Sequence, residues 1–211
     1  SKVYVNGKNV GEHIGGYIGF NVDISKALRE GKNEILVYVN NGYNPEVIPS
    51  QKSDFFIYGG ITRDVRLKKL PAHHIEDIKI TTPEVTNSNA KLNAKVSIAK
   101  PIEGNISIQA VLSDSDNNVV KTEIFDVVDN TADINFNSIA NPNLWDTKNP
   151  YLYRLTVKLI ENEKVIDQVN ENVGFRWFEF KDYGAFYLNG KRLKLRGTHR
   201  HEEHAGVGSA M

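Results

Sequence analysis

Apolar and polar residues alternate in short runs along most of the chain, which is the pattern of β-strands with one buried face. Seven such runs lie between Ile75 and Val173, and turns rich in Asn, Asp and Ser separate them. Seven short strands within about 100 residues favour an immunoglobulin-like sandwich, here without the cysteine pair of antibody domains. The predicted strands are Ile75–Thr81, Leu92–Ile98, Ile106–Leu112, Val119–Val128, Ile134–Phe136, Tyr153–Leu159 and Val165–Val173.

The chain before this sandwich also favours strands, with one short helix among them. Val3–Val5 is followed by Asn6-Gly7, a pair that tolerates the positive φ angles of a tight hairpin. The run Ile35–Val39 has no polar interruption, which predicts a strand covered on both faces. Two further elements are predicted, a helical turn at Asp23–Leu28 that Gly31 ends and a strand at Ile57–Leu67 around Gly59-Gly60.

A domain boundary is predicted at Leu70-Pro71-Ala72, because Pro71 interrupts the strand pattern before it restarts at Ile75. The last segment predicts a second tight hairpin that leads into a further strand. Its parts are Phe186–Leu188, Asn189-Gly190 and Arg192–Arg196. The pattern of the whole chain therefore predicts an all-β fold class.

Composition limits the partners and the chemistry. The 211 residues carry 26 basic and 26 acidic side chains, so the net charge indicates neither a nucleic-acid partner nor a membrane surface. No window approaches the roughly 20 apolar residues of a spanning helix. The chain has no Cys, which excludes disulfides and thiolate sites and leaves cytoplasm and periplasm both open. The strand pattern is already present at Ser1, without an initiator Met or a signal segment, so we expect the fold to begin before this residue.

The most reactive side chains are concentrated in the segment Arg196–His204, directly after the last predicted strand. His201-Glu202-Glu203-His204 is one residue shorter than a zinc-protease motif, which needs its histidines four residues apart on one helix face. His199 and His201 would instead share one face of a strand. A zinc site, a solvated loop at the end of the chain and a catalytic cluster all remain open at this point.

Three stretches, in order, resemble family-two glycoside hydrolases, the β-galactosidase and β-glucuronidase family. Tyr58–Val65 (YGGITRDV) resembles the GGI-x-RDV stretch that closes the family's first, jelly-roll sugar-binding domain. Asn143–Tyr153, with Leu144-Trp145 and Pro150-Tyr151-Leu152-Tyr153, resembles a stretch of the immunoglobulin-like second domain. Phe186–Glu202 is similar to the entry into the catalytic barrel.

The resemblance implies three domains. Residues 1–71 would be the C-terminal part of a partial jelly-roll sandwich, and residues 72–182 the immunoglobulin-like β-sandwich. Residues 183–211 would be the hairpin and first strand of a (β/α)8 TIM barrel, a fold that needs about 250 residues. The catalytic residues are then expected beyond Met211, so we expect no catalytic residue and no hydrolysis in this chain itself.

The resemblance also assigns a role to the C-terminal cluster, because residues at the carboxyl end of a barrel strand face the active site. His201 matches the family histidine that contacts the bound sugar, with pinning of the barrel's first loop as the structural alternative. Arg196 and Arg200 are expected to hold carboxylates through paired hydrogen bonds. Glu202 and Glu203 are not assigned as the catalytic pair, because adjacent residues cannot easily flank one glycosidic bond.

Asp54 is the second implied site residue. It occupies the position at which β-galactosidases of the family place an aspartate that contacts the sugar and a sodium ion. The resemblance therefore implies Na⁺ or Mg²⁺ in the complete enzyme. It implies no cofactor in this chain alone. An exposed turn aspartate is the alternative. Tyr17, Tyr43 and Phe56 could stack on sugar faces, although we expect core packing for them. Trp145 and Trp177 are assigned to the sandwich core or to its interface with the barrel.

The implied function is that of a retaining β-glycosidase, with a β-galactoside as the carbohydrate partner because Asp54 fits the galactosidase pattern. β-Glucuronidase and β-mannosidase are alternatives within the family. A non-catalytic carbohydrate-binding or structural protein of two β-modules is the alternative of another class. Because strands of the jelly roll would be missing, we also expect self-association of residues 1–71.

Overall fold

The computed structural model describes residues 1–16, 18–48, 56–99 and 104–200, and these residues form strands, loops and one helical turn. They belong to two compact units. The first contains Ser1–Leu67 and the described residues after Gly197, and the second is Lys68–Gly197. The predicted all-β fold class is confirmed.

The first unit has a three-stranded antiparallel sheet of order β2-β1-β3. Asn6 and Gly7 have φ angles of 51° and 81°, which confirms the predicted hairpin. The Asn6 side chain donates to Ala27 O at 2.9 Å and accepts from Glu34 N at 3.1 Å, so it also joins the hairpin to later residues. The strands are β1 (Lys2–Val5), β2 (Lys8–Glu12) and β3 (Ile35–Tyr38).

The predicted helical turn is confirmed as a short 3₁₀ helix, Ser25–Ala27. The Asp23 carboxylate accepts a hydrogen bond from Ser25 N at 2.8 Å, which holds the start of this turn. Among the described residues of the first unit, the buried apolar side chains are Val3 and Val5 on β1.

Two predictions for the first unit are wrong. The predicted strand Ile35–Val39 ends at Tyr38 and is not covered on both faces, because Ile35 on one face is 48% exposed and Leu36 on the other is 60% exposed. Residues 57–67, all of them described, form no strand. Gly60, at φ 88°, interrupts this segment, and Val65 and Leu67 are exposed, so neither a ladder partner nor a packed face supports a strand there.

The second unit is a β-sandwich whose seven strands match the predicted runs. Its two antiparallel sheets have the orders β4-β5-β8 and β10-β9-β6-β7. The strands are β4 (His74–Thr81), β5 (Asn89–Ala99), β6 (Ile106–Ser113), β7 (Val119–Asp126), β8 (Thr131–Ala140), β9 (Tyr153–Glu161) and β10 (Lys164–Val173).

The sandwich core explains why these strands could be predicted. Along β6 every second side chain is buried, and β5 and β9 repeat that period of two. Fully burying one large apolar side chain contributes about 1.5–3 kcal/mol to the stability of the fold. The buried side chains of these strands therefore stabilise the sandwich together. Phe136 and Phe175 are the largest fully buried side chains.

A small antiparallel sheet of order β11-β12-β13 follows the sandwich. Asn189 and Gly190 have φ angles of 50° and 75°, which confirms the second predicted hairpin. The strand after it ends at Leu193 rather than Arg196, and β11 was not predicted. The strands are β11 (Phe178–Phe180), β12 (Phe186–Leu188) and β13 (Lys191–Leu193). In the described ranges no helix has the length and apolar character needed to cross a bilayer.

Candidate functional site

Both residues that the sequence assigns to sugar contact lie outside the described residues. Asp54 falls between the described residues Ile48 and Phe56, and His201 follows the described residue Arg200. The site can therefore be built from the segments that lead to these two positions. The other candidates outside the described residues are Tyr17, Glu202, Glu203 and His204.

The loop that follows β3 is organised by asparagine side chains. Asn40 Oδ1 accepts from Gly42 N at 2.8 Å, and Asn44 Oδ1 accepts from Glu46 N at 3.0 Å. Such local bonds stabilise turns, because the side chain replaces a backbone partner. Asn41 Nδ2 donates to Ile57 O at 3.1 Å. This bond joins residues that lie on either side of Asp54 in the sequence, and sequence reasoning did not predict it.

Gly59 of the YGGITRDV stretch has a structural role in this loop. A Cβ atom on Gly59 would lie 3.2 Å from Cγ of Asn41, closer than most Cβ contacts in proteins. Glycine therefore permits the close approach of the two segments. The structure accounts in this way for one of the residues on which the family resemblance rests.

Two of the aromatic side chains considered for sugar stacking, Tyr43 and Phe56, are exposed rather than part of a core. Tyr43 is 56% exposed and Phe56 is 73% exposed, and the Phe56 ring lies 6.2 Å from the ring of Tyr58. The expected core packing of Tyr43 and Phe56 is therefore wrong, because the loop that carries them has no second layer over it in the described residues. Aromatic faces in contact with solvent are suited to stacking on sugar rings, which stays a prediction.

The approach to His201 begins at Asn189, which attaches the C-terminal hairpin to the sandwich. Its side chain accepts from Trp177 N at 3.1 Å and donates to Trp145 O at 3.0 Å, while its backbone N donates to Trp177 O at 2.9 Å. Leu188, beside it, is buried. The sequence signal Asn-Gly indicated the turn but not these bonds, which depend on residues distant along the chain.

After β13 the chain runs through Lys194–Arg200 without regular structure. Arg196, His199 and Arg200 are exposed along this segment. The expectation that Arg196 and Arg200 hold carboxylates therefore stays a prediction.

The Leu144-Trp145 and Tyr151-Leu152-Tyr153 motif has a structural role in the sandwich. Trp145 N donates to Phe175 O at 2.8 Å, and the Tyr153 hydroxyl accepts from Asn143 N at 2.8 Å. Burial raises the pKa of Tyr153, since the ionised phenolate would lose its solvation. The Trp145 ring lies 4.6 Å from the Arg176 guanidinium, and Trp177 packs against the core, in agreement with the structural assignment of both tryptophans.

A second titratable group with a shifted pKa lies at the turn between β6 and β7. The Asn118 side chain donates to the Asp114 carboxylate at 3.0 Å, and this bond lowers the pKa of Asp114, helped by bonds from the backbone N of Asn118 and of Asp116. The carboxylate is exposed and its partners belong to its own turn. It organises the turn and is distant in sequence from the candidate site residues.

Neither a metal centre nor an enclosed pocket marks the site within the described ranges. No group of three His, Asp or Glu side chains there could hold an ion. A shallow open cavity of about 250 Å³ lies on the first unit, where Tyr4, Gly7, Glu34 and Leu36 line it. This cavity borders the exposed face of β3 and holds none of the predicted site residues.

Two family models match the chain. The model of glycosyl hydrolases family 2 matches residues 73–176, and the model of that family's sugar binding domain matches residues 1–71. A candidate β-glucuronidase of Formosa agariphila is 58% identical over the whole chain, which covers 26% of that protein. A β-galactosidase of Thermoanaerobacter pseudethanolicus is 35% identical over the whole chain, which covers 29% of it.

Solved structures agree with these matches. The β-glucuronidase of Bacteroides uniformis superposes with a TM-score of 0.91 at 30% identity, and the alignment covers 100% of this chain and 27% of that one. A candidate β-galactosidase from Bacteroides fragilis gives a TM-score of 0.87 at 32% identity, with 100% and 33% covered. This chain therefore spans about a quarter to a third of the length of these relatives.

Proposed function

The chain belongs to glycosyl hydrolases family 2, and we propose that it forms the sugar-binding and immunoglobulin-like portion of a retaining β-glycosidase that releases a terminal sugar. The observation that carries the proposal is the match over the whole chain to β-glucuronidases and β-galactosidases, in sequence and in structure. The activity belongs to the complete enzyme, and we expect none from the 211 residues alone.

In this proposal His201 and Asp54 contact the sugar. A neutral imidazole can donate to or accept from a sugar hydroxyl, and such a bond aids catalysis if it strengthens as the oxocarbenium-like transition state forms. The Asp54 carboxylate is a strong acceptor for sugar hydroxyls. The bond from Asn41 to Ile57 O supports this role, since it fixes the two segments between which Asp54 lies.

The bond-breaking step is assigned to residues outside this chain. We propose that one glutamic acid protonates the leaving oxygen while a second attacks the anomeric carbon, after which water releases the sugar from the enzyme. The residues of this chain then bind and orient the substrate. Their contribution is the positioning of the sugar relative to both glutamates.

Asp54 is also proposed as one ligand of a Na⁺ or Mg²⁺ ion in the complete enzyme. Carboxylate oxygens are hard ligands that suit both ions. Mg²⁺ takes about six oxygen ligands, so Asp54 would supply a small part of the site. The ion's contribution would be to neutralise charge and order the oxygens around it.

Two sugars are proposed as substrates. A β-galactoside is favoured by Asp54, which fits the pattern of the β-galactosidases that the chain resembles. A β-glucuronide is favoured by the 58% identity to the Formosa agariphila protein. A glucuronide carries a carboxylate that a galactoside lacks, and its binding needs a cationic pocket. The charge of that pocket would therefore discriminate between the two substrates.

The test is hydrolysis by the polypeptide that the gene encodes when its reading frame is followed past Met211. We expect it to release nitrophenol from nitrophenyl β-galactoside or nitrophenyl β-glucuronide, and we expect the 211-residue chain to release none. His201→Ala should lower kcat/KM about 100-fold, the cost of losing one transition-state hydrogen bond. His199→Ala is the matched control, because it removes a neighbouring imidazole to which no sugar contact is assigned, and it should leave kcat/KM near the wild-type value.

Two results would contradict the proposal. The first is a reading frame that stops at Met211. The second is saturable binding of galactose or glucuronic acid by the 211-residue chain without hydrolysis by any longer product, which is the behaviour of a stand-alone carbohydrate-binding protein.

A further inference from the structure

The chain contains three Asn-Gly pairs, at Asn6-Gly7, Asn41-Gly42 and Asn189-Gly190. In such a pair the backbone N of Gly can attack the side-chain amide carbon of Asn, because Gly has no side chain to hinder the attack and its backbone rotates freely. The attack closes a five-membered ring, which requires rotation of the Asn side chain and of its Cα–C bond. The local structure of each pair therefore determines how readily the reaction occurs.

Asn6 and Asn189 are held in their hairpins by hydrogen bonds and by backbone geometry. Asn6 Nδ2 donates to Ala27 O and to Asn33 Oδ1, and Asn6 Oδ1 accepts from Glu34 N. The Asn189 side chain makes two hydrogen bonds to backbone groups of the two tryptophans. Both asparagines have positive φ angles, 51° and 50°, in tight turns between paired strands. Ring closure at either position would therefore disrupt a hairpin.

Asn41 is held much less firmly. It lies in the loop after β3, in a stretch without regular structure, and both Asn41 and Gly42 are exposed. Within the described residues its side chain makes one hydrogen bond, from Nδ2 to Ile57 O at 3.1 Å. Gly42 N donates to Asn40 Oδ1 at 2.8 Å, a local bond that can open without disturbing any strand. Ring closure at Asn41 therefore breaks two exposed hydrogen bonds and no element of secondary structure.

We propose that Asn41 is a site of spontaneous deamidation. Gly42 N loses its proton and bonds to Asn41 Cγ, the Cγ–Nδ2 bond breaks, and Nδ2 takes up a proton and leaves as ammonia. One water molecule then opens the ring. Opening at the former side-chain carbonyl gives aspartate, and opening at the backbone carbonyl gives isoaspartate, in which the main chain continues through the former side chain.

The reaction replaces a hydrogen-bond donor with a negative charge. A carboxylate has no N–H group to donate, so the hydrogen bond to Ile57 O is lost and two oxygen atoms face each other instead. The loop after β3 then loses this link to residue 57. This inference does not depend on the proposed enzymatic function.

The test uses the polypeptide encoded by the whole reading frame, incubated in its folded state at mildly alkaline pH. Trypsin places the three pairs in different peptides, residues 3–8, 33–52 and 182–191, so mass spectrometry with fragmentation measures each rate separately. We expect Asn41 to deamidate at least about tenfold faster than Asn6 and Asn189, a factor that one additional hydrogen bond can supply. In concentrated urea the three rates should become similar, because the local sequence is then the main determinant.

Gly42→Ala tests the chemistry at the same position. Gly42 does not have a positive φ, and the nearest atoms to an added Cβ belong to the exposed Asn40 side chain, with Oδ1 at 3.0 Å. Alanine is therefore tolerated when the Asn40 side chain turns aside. Its methyl group hinders the attack, so deamidation at Asn41 should become much slower while the rates at Asn6 and Asn189 stay unchanged.

Asn41→Asp reproduces one product and tests the effect on the loop. Chymotrypsin should cleave after the exposed Phe56 or Tyr58 at least about threefold faster than in the wild type, because cleavage follows local opening. Asn44→Asp is the matched control. It adds the same charge but keeps an oxygen that accepts from Glu46 N, so cleavage should stay at the wild-type rate.

Three results would overturn the inference. Equal deamidation of the three pairs in the folded protein would show that the hydrogen bonds do not select Asn41. An unchanged rate at Asn41 in the Gly42→Ala variant would exclude attack by Gly42 N. Equal cleavage of the Asn41→Asp and Asn44→Asp variants would show that the modification does not release the loop.

Discussion

Tyr153 shows how one residue of the family motif acts. It is almost fully buried, its ring packs edge-on against Tyr151 and Phe175 at 5.1 Å and 5.0 Å, and its hydroxyl accepts from Asn143 N. The side chain therefore joins the start of β9 to the loop that precedes it. Because the hydroxyl lies inside an apolar cluster that suits only the neutral phenol, we expect the sandwich to be sensitive to alkaline pH.

Stability of the second unit should fall as the pH rises above about 10, the ordinary pKa of tyrosine. Burial raises the pKa of Tyr153 in the folded state, so the folded chain holds this proton while the unfolded chain releases it. The stabilisation is complete below pH 10 and is lost between pH 10 and the folded-state pKa, by up to about 1.4 kcal/mol per pH unit. Urea unfolding at several pH values measures it.

Tyr153→Phe should have lower stability at pH 7, since Asn143 N loses its acceptor, but a shallower decline above pH 10. Tyr183→Phe is the control because that side chain is fully exposed, and its pH profile should follow the wild type. Equal slopes for Tyr153→Phe and the wild type would show that the buried hydroxyl is not the group that titrates.

At the scale of elements, the sequence predicted correctly those strands and turns that local residue patterns specify. The sandwich strands were predicted because apolar and polar residues alternate along them, and in β5, β6 and β9 this alternation buries every second side chain. The pairs Asn6-Gly7 and Asn189-Gly190 specified their turns, since both residues of a type I′ turn need positive φ. The strand β11 was missed because its three residues form a strand only by pairing with β12, which no local pattern records. The segment 57–67 has strand composition, but it pairs with no strand among the described residues.

The candidate site was predicted from family resemblance, and the family membership is confirmed. Asp54 and His201 stay predictions, since neither lies among the described residues. What the sequence could not give is the role of Asn41 and Asn189. Each bonds to a backbone group at a separation of 16 or 44 residues, and amide side chains carry no pattern that identifies such partners.

The attachment of the C-terminal hairpin depends on the Asn189 side chain, and this can be tested. Asn189→Gly retains the freedom to adopt a φ of 50° but removes the two side-chain bonds to Trp177 N and Trp145 O. We expect a loss of about 2 kcal/mol in the free energy of unfolding, measured by urea denaturation. Asn141→Gly is the control, since it also replaces an asparagine at positive φ but lies in another turn. A loss below about 0.5 kcal/mol for Asn189→Gly would mean that its two side-chain bonds are not what holds the hairpin.

At the scale of the whole molecule, the two units differ in how much apolar surface they bury. The described residues of the first unit bury Val3 and Val5, whereas the second unit has a continuous core across both sheets. Hydrogen exchange should therefore be slow in β5, β6 and β9 and much faster in β1 to β3, because exchange follows the free energy of local opening. Protection in β1 to β3 equal to that of the sandwich, in a monomeric sample, would contradict this difference.

The two tryptophans lie where Asn189 joins the hairpin to the sandwich, and their position determines what an optical experiment on this chain reports. The chain has two tryptophans, Trp145 and Trp177, and the asparagine bonds to the backbone of both. The segment Ser1–Leu67 contains tyrosines but no tryptophan. Tryptophan fluorescence therefore reports unfolding at the junction of sandwich and hairpin and does not report unfolding of the first unit. Unfolding of the first unit has to be measured by tyrosine absorbance or by far-ultraviolet circular dichroism.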